Sequence, residues 1–226
     1  MLSAGRGDTT HAHDALAHLC RSYWYPLYAH ARRRGYSPHD AQDLTQEFFV
    51  RLLRGNWIAR ADRRRGRFRT FLLAAMQHFL ANEWNKAHAK KRGGTRPILS
   101  LNDESAEQRY LLEPAEQNTP ETLFERGWAL SVLDNVLRRL KDEYRREGKS
   151  DWMDAMQSAL TADRNTLSYA EIARKLGMTE TAARVAVHRL RQRYRRLIRA
   201  EVASTVASPD EVDAEMRHLF EVLVKG

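Results

Sequence analysis

Arginines spaced among aromatic side chains are the residues of this sequence best suited to binding chemistry. Between Arg54 and Arg96, twelve arginines and lysines stand against two acids, and Trp57, Phe68 and Phe71 lie among them. Cations at this density attract the phosphates of a polyanion, and aromatic pockets beside them can hold unstacked bases. A formal net charge of +9 over the 226 residues points the same way. The segment predicts a surface for single-stranded nucleic acid.

A second basic segment offers a different kind of contact. Over residues 164–199, ten arginines and lysines stand against two acids. Four basic side chains recur there at steps of four and three and so share one helix face: Arg184, His188, Arg191 and Arg195. Arginine forks on such a face can bind phosphates or guanine edges when the helix enters a major groove. A solvated charged face on a helical hairpin is the alternative, and the sequence leaves it open.

Residues for catalysis or metal binding are poorly represented. Neither paired carboxylates, nor a glycine-rich phosphate loop, nor an activated serine or cysteine lies beside the basic segments, so an enzyme is not expected. His11, His13, His18 and Cys20 could ligate a metal, but a chain terminus followed by helix gives them no fixed geometry. No metal and no cofactor are therefore predicted.

Cysteine usage and hydropathy indicate the compartment. The single cysteine cannot form an internal disulfide, and the first ten residues lack an apolar export signal. A mean hydropathy of −0.65, with apolar residues scattered rather than in long runs, argues against the bilayer. We expect a cytoplasmic protein with no membrane partner.

Helix signals position both basic segments, and strand signals are nearly absent, so the predicted fold class is all-α. Ser37 can cap a helix whose first position is Pro38, and the pattern extends to about Arg54. In this helix Ala41, Leu44, Phe48 and Leu52 can pack inward. Asp43, Gln46, Glu47 and Val50 lie on another face, both acidic and apolar, which suits a protein partner.

The second basic segment has the helix start and stop signals of a helix-turn-helix. Ser168 with Glu171 three residues later forms a capping box, Gly177 can end that helix in the left-handed conformation, and Thr179 can cap the next one. The second helix has an apolar stripe beside its basic face. The stripe consists of Ala183, Val187, Leu190, Tyr194 and Leu197.

Charge divides the chain into domains. Residues 97–126 carry seven carboxylates against two arginines and contain three prolines, which is typical of a linker. Their leucines make this linker too apolar to lie free in solvent, so we expect it against its own domains or a partner. The predicted organisation is a helical domain (10–96), the acidic linker (97–125), a helix-turn-helix domain (126–200) and a C-terminal amphipathic helical extension (201–226).

The C-terminal extension has its own stripe, and intramolecular packing is its predicted role, with a regulatory docking site as the alternative. The apolar stripe comprises Val212, Met216, Leu219, Phe220 and Leu223. Acids are expected on the rest of the helix and argue against a membrane-surface role: Asp210, Glu211, Asp213 and Glu215.

In this order the parts resemble a bacterial RNA polymerase sigma factor, of the extracytoplasmic-function (ECF) kind. Three segments carry the resemblance. DAQDLTQEFFVRLL (40–53) looks like the family's helix that docks on the polymerase clamp. RGRFRTFLLAAMQHFLANEW (65–84) looks like its promoter-melting segment, although the positions of the tryptophan pair of housekeeping members look like Ala74 and Ala75. LSYAEIARKLGMTETAARVAVHRLRQRYRRL (167–197) looks like its upstream-element reader.

The resemblance implies a promoter-specificity subunit that binds core RNA polymerase and promoter DNA, with an anti-sigma factor or other regulator as a further partner. It implies core-polymerase contacts at Asp43, Gln46, Glu47 and Val50. It implies DNA contacts in the melting region at Arg63, Arg64, Arg65, Arg67, Arg69, Lys86 and Lys90. It implies DNA contacts in the helix-turn-helix at Thr179, Thr181, Arg184, His188, Arg189 and Arg191.

Two other functions compete with this interpretation. A stand-alone helix-turn-helix regulator would bind its operator without polymerase, whereas a sigma factor would co-purify with core polymerase through Asp43 and Gln46. A nucleic-acid enzyme would show activity with magnesium and no polymerase, but the sequence offers few residues for it.

Overall fold

The computed structural model describes residues 4–54, 67–89, 104–113, 119–162, 167–206 and 208–225, and every regular element within these ranges is helical. The all-α prediction is confirmed. In chain order the helices are α1 (Ala4–Arg33), α2 (Pro38–Arg54), α3 (Phe68–Ala89), α4 (Glu104–Leu111), α5 (Pro120–Arg146), α6 (Ser150–Met156), α7 (Tyr169–Leu176), α8 (Glu180–Ala203) and α9 (Val212–Lys225), with 3-10 turns at Gln157–Leu160 and Pro209–Glu211.

The chain forms two compact units that are not consecutive in sequence. The first comprises Met1–Ser131 together with Thr205–Gly226, and the second comprises Val132–Ser204. Helix α5 contributes its first part to the first unit and its remainder to the second. The second unit is therefore an insertion in the first, and α9 belongs to the unit that contains α1, α2 and α3.

Aromatic side chains build the core of the first unit, where α1 packs against α2 and α3. Trp24 stacks on Phe49 with 5.8 Å between ring centroids, and Phe48 lies 5.8 Å from Phe79. Such pairs stabilise beyond the area they bury. Helix α5 also approaches α1 closely, because a Cβ at Gly127 would lie only 3.2 Å from the Cα of Pro26.

Part of the acidic segment lies on the first unit. Helix α4 packs against α1 and buries Ala106. Its Glu107 carboxylate lies 2.8 Å from Nη2 of Arg32 and accepts a hydrogen bond from the Tyr28 hydroxyl. The hydrogen bond from Arg32 lowers the pKa of Glu107. Charge pairing and burial thus fix residues 104–111 against α1, while 97–103 and 114–118 lie outside the described residues.

The second unit has the two-helix corner that its sequence predicts. Ser168 Oγ accepts a hydrogen bond from the backbone N–H of Glu171 at 3.3 Å, and Gly177 adopts φ +63° at the end of α7. Thr179 Oγ1 then accepts from the N–H of Ala182 at 3.2 Å and caps α8. Apolar side chains of α8 line its buried face: Ala183, Val187, Leu190 and Leu197.

Neither a membrane span nor a metal cluster is found within the ranges that the structure describes. None of those helices combines enough length with enough apolar character to cross a bilayer. The same residues hold no group of three or more histidines, cysteines and acids placed to ligate a metal. The side chains of His11 and His13 lie outside the described residues.

Candidate nucleic-acid interface

Helix α2 presents a mixed acidic and apolar face, defined here by Asp43, Glu47 and Val50. The helix begins where Ser37 Oγ accepts a hydrogen bond from the N–H of Asp40 at 3.1 Å. Its opposite side is buried through Ala41, Phe48 and Leu52, as the periodicity predicts. Burial of that side leaves the three residues of the acidic face partly exposed.

The carboxylates of the acidic face already have basic side chains beside them. Asp43 lies 3.2 Å from His39 Nδ1, and Glu47 lies 2.9 Å from Arg51 Nε. Gln46 differs from its neighbours because only 9% of it is exposed. Asp43 and Glu47 are accessible to an incoming partner, whereas Gln46 is buried.

A groove with a volume of about 650 Å³ lies along α3, beside Arg51 of α2. Its lining combines aromatic rings, carboxamides, an imidazole, two cations and two small side chains. These lining residues are Arg51, Phe71, Ala74, Ala75, His78, Phe79, Asn82, Asn85 and Lys86. Carboxamides and imidazole can donate and accept hydrogen bonds at base edges, and phenyl rings can stack on bases. The α3 groove thus has the chemistry that an unstacked base requires.

Ion pairs border the α3 groove. Glu83 lies 2.9 Å from both Lys86 Nζ and Arg51 Nη1. Burial would raise the pKa of Glu83, but its bonds to Lys86 and Arg51 outweigh burial and lower that pKa. The carboxylate therefore stays ionised and orients two cations beside the groove.

Arg67 and Arg69 stand at the start of α3 in different environments. The Arg69 side chain is only 4% exposed, while that of Arg67 is 36% exposed. Arg69 donates from Nε to Glu215 at 2.7 Å and from Nη1 to Glu125 at 2.6 Å. Burial would lower the pKa of Arg69, but Glu215 and Glu125 outweigh burial and raise it. We name Arg67, Arg69, Glu125 and Glu215 the arginine–glutamate cluster.

Polar and cationic side chains cover the outer surface of the α7–α8 corner. Arg184 pairs with Glu180 at 2.7 Å and lies over the Tyr169 ring at 4.7 Å. The predicted contacts on this surface are exposed: Thr179, Thr181, Arg184, His188 and Arg189. Arg191 instead donates from Nε and Nη2 to the carbonyls of Ala159 and Ala162, each at 2.8 Å. Arg191 thus joins α8 to the backbone at Ala159 and Ala162.

Two comparisons relate these features to sigma factors. Residues 19–89 match the family model described as Sigma-70 region 2. The chain is also 27% identical over 190 residues to the ECF RNA polymerase sigma factor SigE of Mycolicibacterium smegmatis. Both matches support the resemblance to ECF-type sigma factors that the sequence segments predict.

The similarity covers different shares of the two chains. The match covers 84% of this chain but only 64% of the Mycolicibacterium protein. Region 2 contains the acidic face of α2 and the α3 groove, and it excludes the α7–α8 corner and α9. No solved structure matches the chain.

The residues that the resemblance implies for DNA binding in the melting region fall into three groups. Arg67 and Lys86 lie at the surface of the first unit, where the sequence predicts them. Arg69 requires a correction, because its guanidinium is buried between two carboxylates and does not face solvent. The remaining members lie outside the described residues: Arg63, Arg64, Arg65 and Lys90.

Sequence reasoning missed the acidic half of the arginine–glutamate cluster. It assigns Glu215 to the polar side of the last helix, whereas the structure buries this residue to 1% exposure. The spacing held a signal: Glu215 follows Val212 by three residues and precedes Leu219 by four, which places it within the apolar stripe. His218 was also missed, and its Nε2 lies 2.9 Å from Glu125 Oε2.

Proposed function

We propose that the chain is a promoter-specificity subunit of bacterial RNA polymerase, which binds the core enzyme, recognises and melts promoter DNA and directs transcription initiation. The sigma-70 region 2 match over residues 19–89 carries this proposal. The chain makes and breaks no bond itself. It adds sequence selection to an enzyme that otherwise binds DNA through charge. A cytoplasmic location and an anti-sigma factor or other regulator complete the proposal.

Core polymerase is the proposed partner of the acidic face of α2. Asp43 and Glu47 are partly exposed, and Leu53 on the same helix is 39% exposed. Apolar contact surrounded by charge is the usual composition of a protein interface. Gln46 supports the contact by fixing the helix rather than by touching the partner.

The α3 groove is the proposed site for a base of the melted strand. Unstacking a base costs a few kcal/mol, which binding in a pocket can recover. Phe71 supplies a ring, and His78 and Asn82 supply polar groups for the base edge. The small side chains of Ala74 and Ala75 leave space for a base where a tryptophan wedge would fill it. Melting then follows from trapping the displaced base.

Duplex DNA is the proposed ligand of the α7–α8 corner. The exposed side chains of Arg184, His188 and Arg189 supply donors to phosphates and base edges. Arg191 positions α8 through its two carbonyl contacts. Since both readers belong to one chain, binding of the first raises the effective concentration of the second. Two modest contacts thereby give a selective complex.

Charge reversal on the acidic face tests the polymerase contact. Asp43→Arg should weaken co-purification with core polymerase about tenfold, because a like charge then meets the partner surface. Asp154→Arg makes the same charge change at an exposed position of α6 and should leave the affinity unchanged. Equal retention of both variants on immobilised core polymerase would remove α2 as the contact.

Run-off transcription tests the function as a whole. Core polymerase with the chain should initiate at defined sites in a pool of genomic fragments, and core polymerase alone should not. A stand-alone regulator would instead bind selected duplex without polymerase and leave initiation sites unchanged. That outcome would overturn the proposal in favour of the regulator.

A further inference from the structure

Helix α9 carries a buried acid on the face that it packs against the first unit. Val212 and Leu219 are buried at 4% and 0% exposure, and Glu215 lies between them at 1%. A carboxylate at such a position is costly unless ion pairs and hydrogen bonds compensate its lost hydration. The contacts of Glu215 therefore explain why this helix belongs to the first unit.

Both oxygens of Glu215 bind arginines from the start of α3. Its Oε1 accepts from Arg69 Nε at 2.7 Å, and its Oε2 accepts from Arg69 Nη2 at 3.1 Å. The same Oε2 lies 2.8 Å from Arg67 Nε. Arg69 also lies over the Trp128 ring at 4.8 Å and binds Glu125, so α3, α5 and α9 converge on one guanidinium.

Arg67 is the most exposed member of this cluster, at 36% against 21% for Glu125. Its Nε lies 2.8 Å from Glu215 Oε2, so the guanidinium and this carboxylate form an ion pair. A guanidinium has five N–H donors, one of them on Nε. The other four belong to the Nη groups at the end of a side chain that is 36% exposed. A carboxylate bound at Nε limits rotation of the guanidinium plane, which reduces the entropy lost when the Nη groups bind an anion.

We infer that Glu215 is a positioning residue for DNA binding: it holds Arg67 so that its Nη groups meet a phosphate of the strand bound along α3. The inference rests on the proposed function, because it takes melted promoter DNA as the ligand of the first unit. By this inference, helix α9 contributes to DNA binding by the first unit, although it lies outside the segment that matches region 2.

The burial of Glu215 indicates that it positions Arg67 and does not compete with DNA phosphate for this arginine. A carboxylate that competed with phosphate for Arg67 would need to leave that arginine when DNA binds. Glu215 is buried and also pairs with Arg69, so its departure would leave the buried Arg69 guanidinium without one of its two carboxylates. Losing one partner of a buried ion pair is strongly destabilising. The carboxylate stays in place, and DNA adds to the arrangement rather than replacing it.

The test is the salt dependence of DNA binding by the chain assembled with core polymerase. The probe is a promoter fragment identified by the run-off transcription described above. Mismatched base pairs hold its start region open. Each phosphate contact to a single strand adds about 0.7 to the slope of log affinity against log salt. Glu215→Gln should lower the slope by this amount. Between about 50 and 200 mM salt, the DNA affinity of this variant should therefore fall about threefold less than that of the wild-type chain. Arg67→Gln should give the same slope, and the double variant should lose nothing further.

Glu221→Gln is the matched control. It removes the same charge from an exposed position of α9 and should keep the wild-type slope. A purely structural role for Glu215 would reduce the folded fraction, which rescales affinity at every salt concentration and leaves the slope unchanged. If Glu215→Gln does not fold, Glu215→Asp keeps the charge for Arg69 and withdraws the carboxylate by one methylene. This variant should also lower the slope.

Two outcomes would overturn the inference while leaving the proposed function intact. One is a wild-type slope in the folded Glu215 variant together with a reduced slope in Arg67→Gln. The other is tighter DNA binding by Glu215→Gln than by Glu221→Gln, which would make the carboxylate a competitor of DNA. Failure of the wild-type chain to bind core polymerase would instead refute the proposed function.

Discussion

His30 is a basic side chain buried in the first unit with an exposure of 0%. Its Nδ1 lies 3.1 Å from the carbonyl oxygen of Pro120, so this nitrogen carries the proton that is donated. Its Nε2 is buried with no hydrogen-bond partner among the described residues. Burial lowers the pKa of His30 below its ordinary value of 6.5, against the opposing effect of the Pro120 carbonyl. The site therefore favours the neutral ring over the charged one.

Acid should destabilise the first unit through His30. Because the folded histidine binds its proton at a lower pH than the unfolded one, the free energy of unfolding should fall as the pH drops below about 6.5, by at most about 1.4 kcal/mol per pH unit. Urea titrations from pH 7.5 to 5.5 measure this loss, above the range in which carboxylates ordinarily titrate. His30→Asn, which keeps a donor for Pro120, should flatten the dependence. His39→Asn changes an exposed histidine and should not.

The roles of single side chains were predicted less completely than the elements that carry them. Exposure of Arg184 and His188 followed from local periodicity. Burial of Arg69 did not, because its partners Glu125 and Glu215 lie 56 and 146 residues away in sequence. A basic run looks the same in sequence whether its arginines meet water or distant carboxylates. Only the fold shows which arginine is enclosed.

Helix ends show what local chemistry can determine at the scale of elements. The Gly177 N–H and the Met178 N–H both bond to the carbonyl of Ala173, so the turn closes α7 in the way its sequence predicts. Gly177 is needed for its backbone angle rather than for space, since a Cβ there would meet no atom within 4 Å.

Gly177→Ala should destabilise the second unit by about 1 kcal/mol, because an alanine at φ +63° is strained. Gly177→Asn should lose less, since asparagine tolerates the left-handed conformation better. Amide hydrogen exchange of residues 169–203 measures the effect directly. Equal protection in both variants and the wild type would show that the turn does not limit stability.

Elements were predicted well where their signals are local. Ser37, Ser168 and Thr179 each accept the capping hydrogen bond that the sequence predicts. The α3 groove was not predicted, because it depends on how α2 places Arg51 beside α3. The sequence-based prediction places Glu215 on the wrong face of the helix, because acidic side chains are usually exposed. The spacing of Glu215 nevertheless matches the apolar stripe.

At the scale of the whole molecule, chain order and spatial order differ. The first unit gathers residues from both sides of the second unit, so its stability depends on segments far apart in sequence. Helix α9 contributes buried Val212 and Leu219 as well as Glu215. The sequence-based division treats residues 201–226 as a separate extension because it follows chain order. That division remains a prediction.

Removing residues 208–226 should destabilise the first unit by at least about 3 kcal/mol, because Arg69 loses a buried partner and apolar surface is uncovered. Amide exchange should accelerate over residues 67–72 and 120–131. Residues 167–204 belong to the second unit and should keep their protection. Removal of residues 225 and 226 alone is the control. Uniform loss of protection in both units would show that they do not unfold separately.

Insertion of one unit within another has a consequence for the newly made chain. Glu215 follows Ser131 by 84 positions in the printed sequence, and at about 5–20 residues per second a ribosome needs several seconds to cover that stretch. During this interval a nascent chain holds Arg67 and Arg69 without their shared carboxylate. Assembly of the arginine–glutamate cluster therefore waits until the ribosome has made α9, and a message cut short before α9 would yield a chain that lacks Glu215.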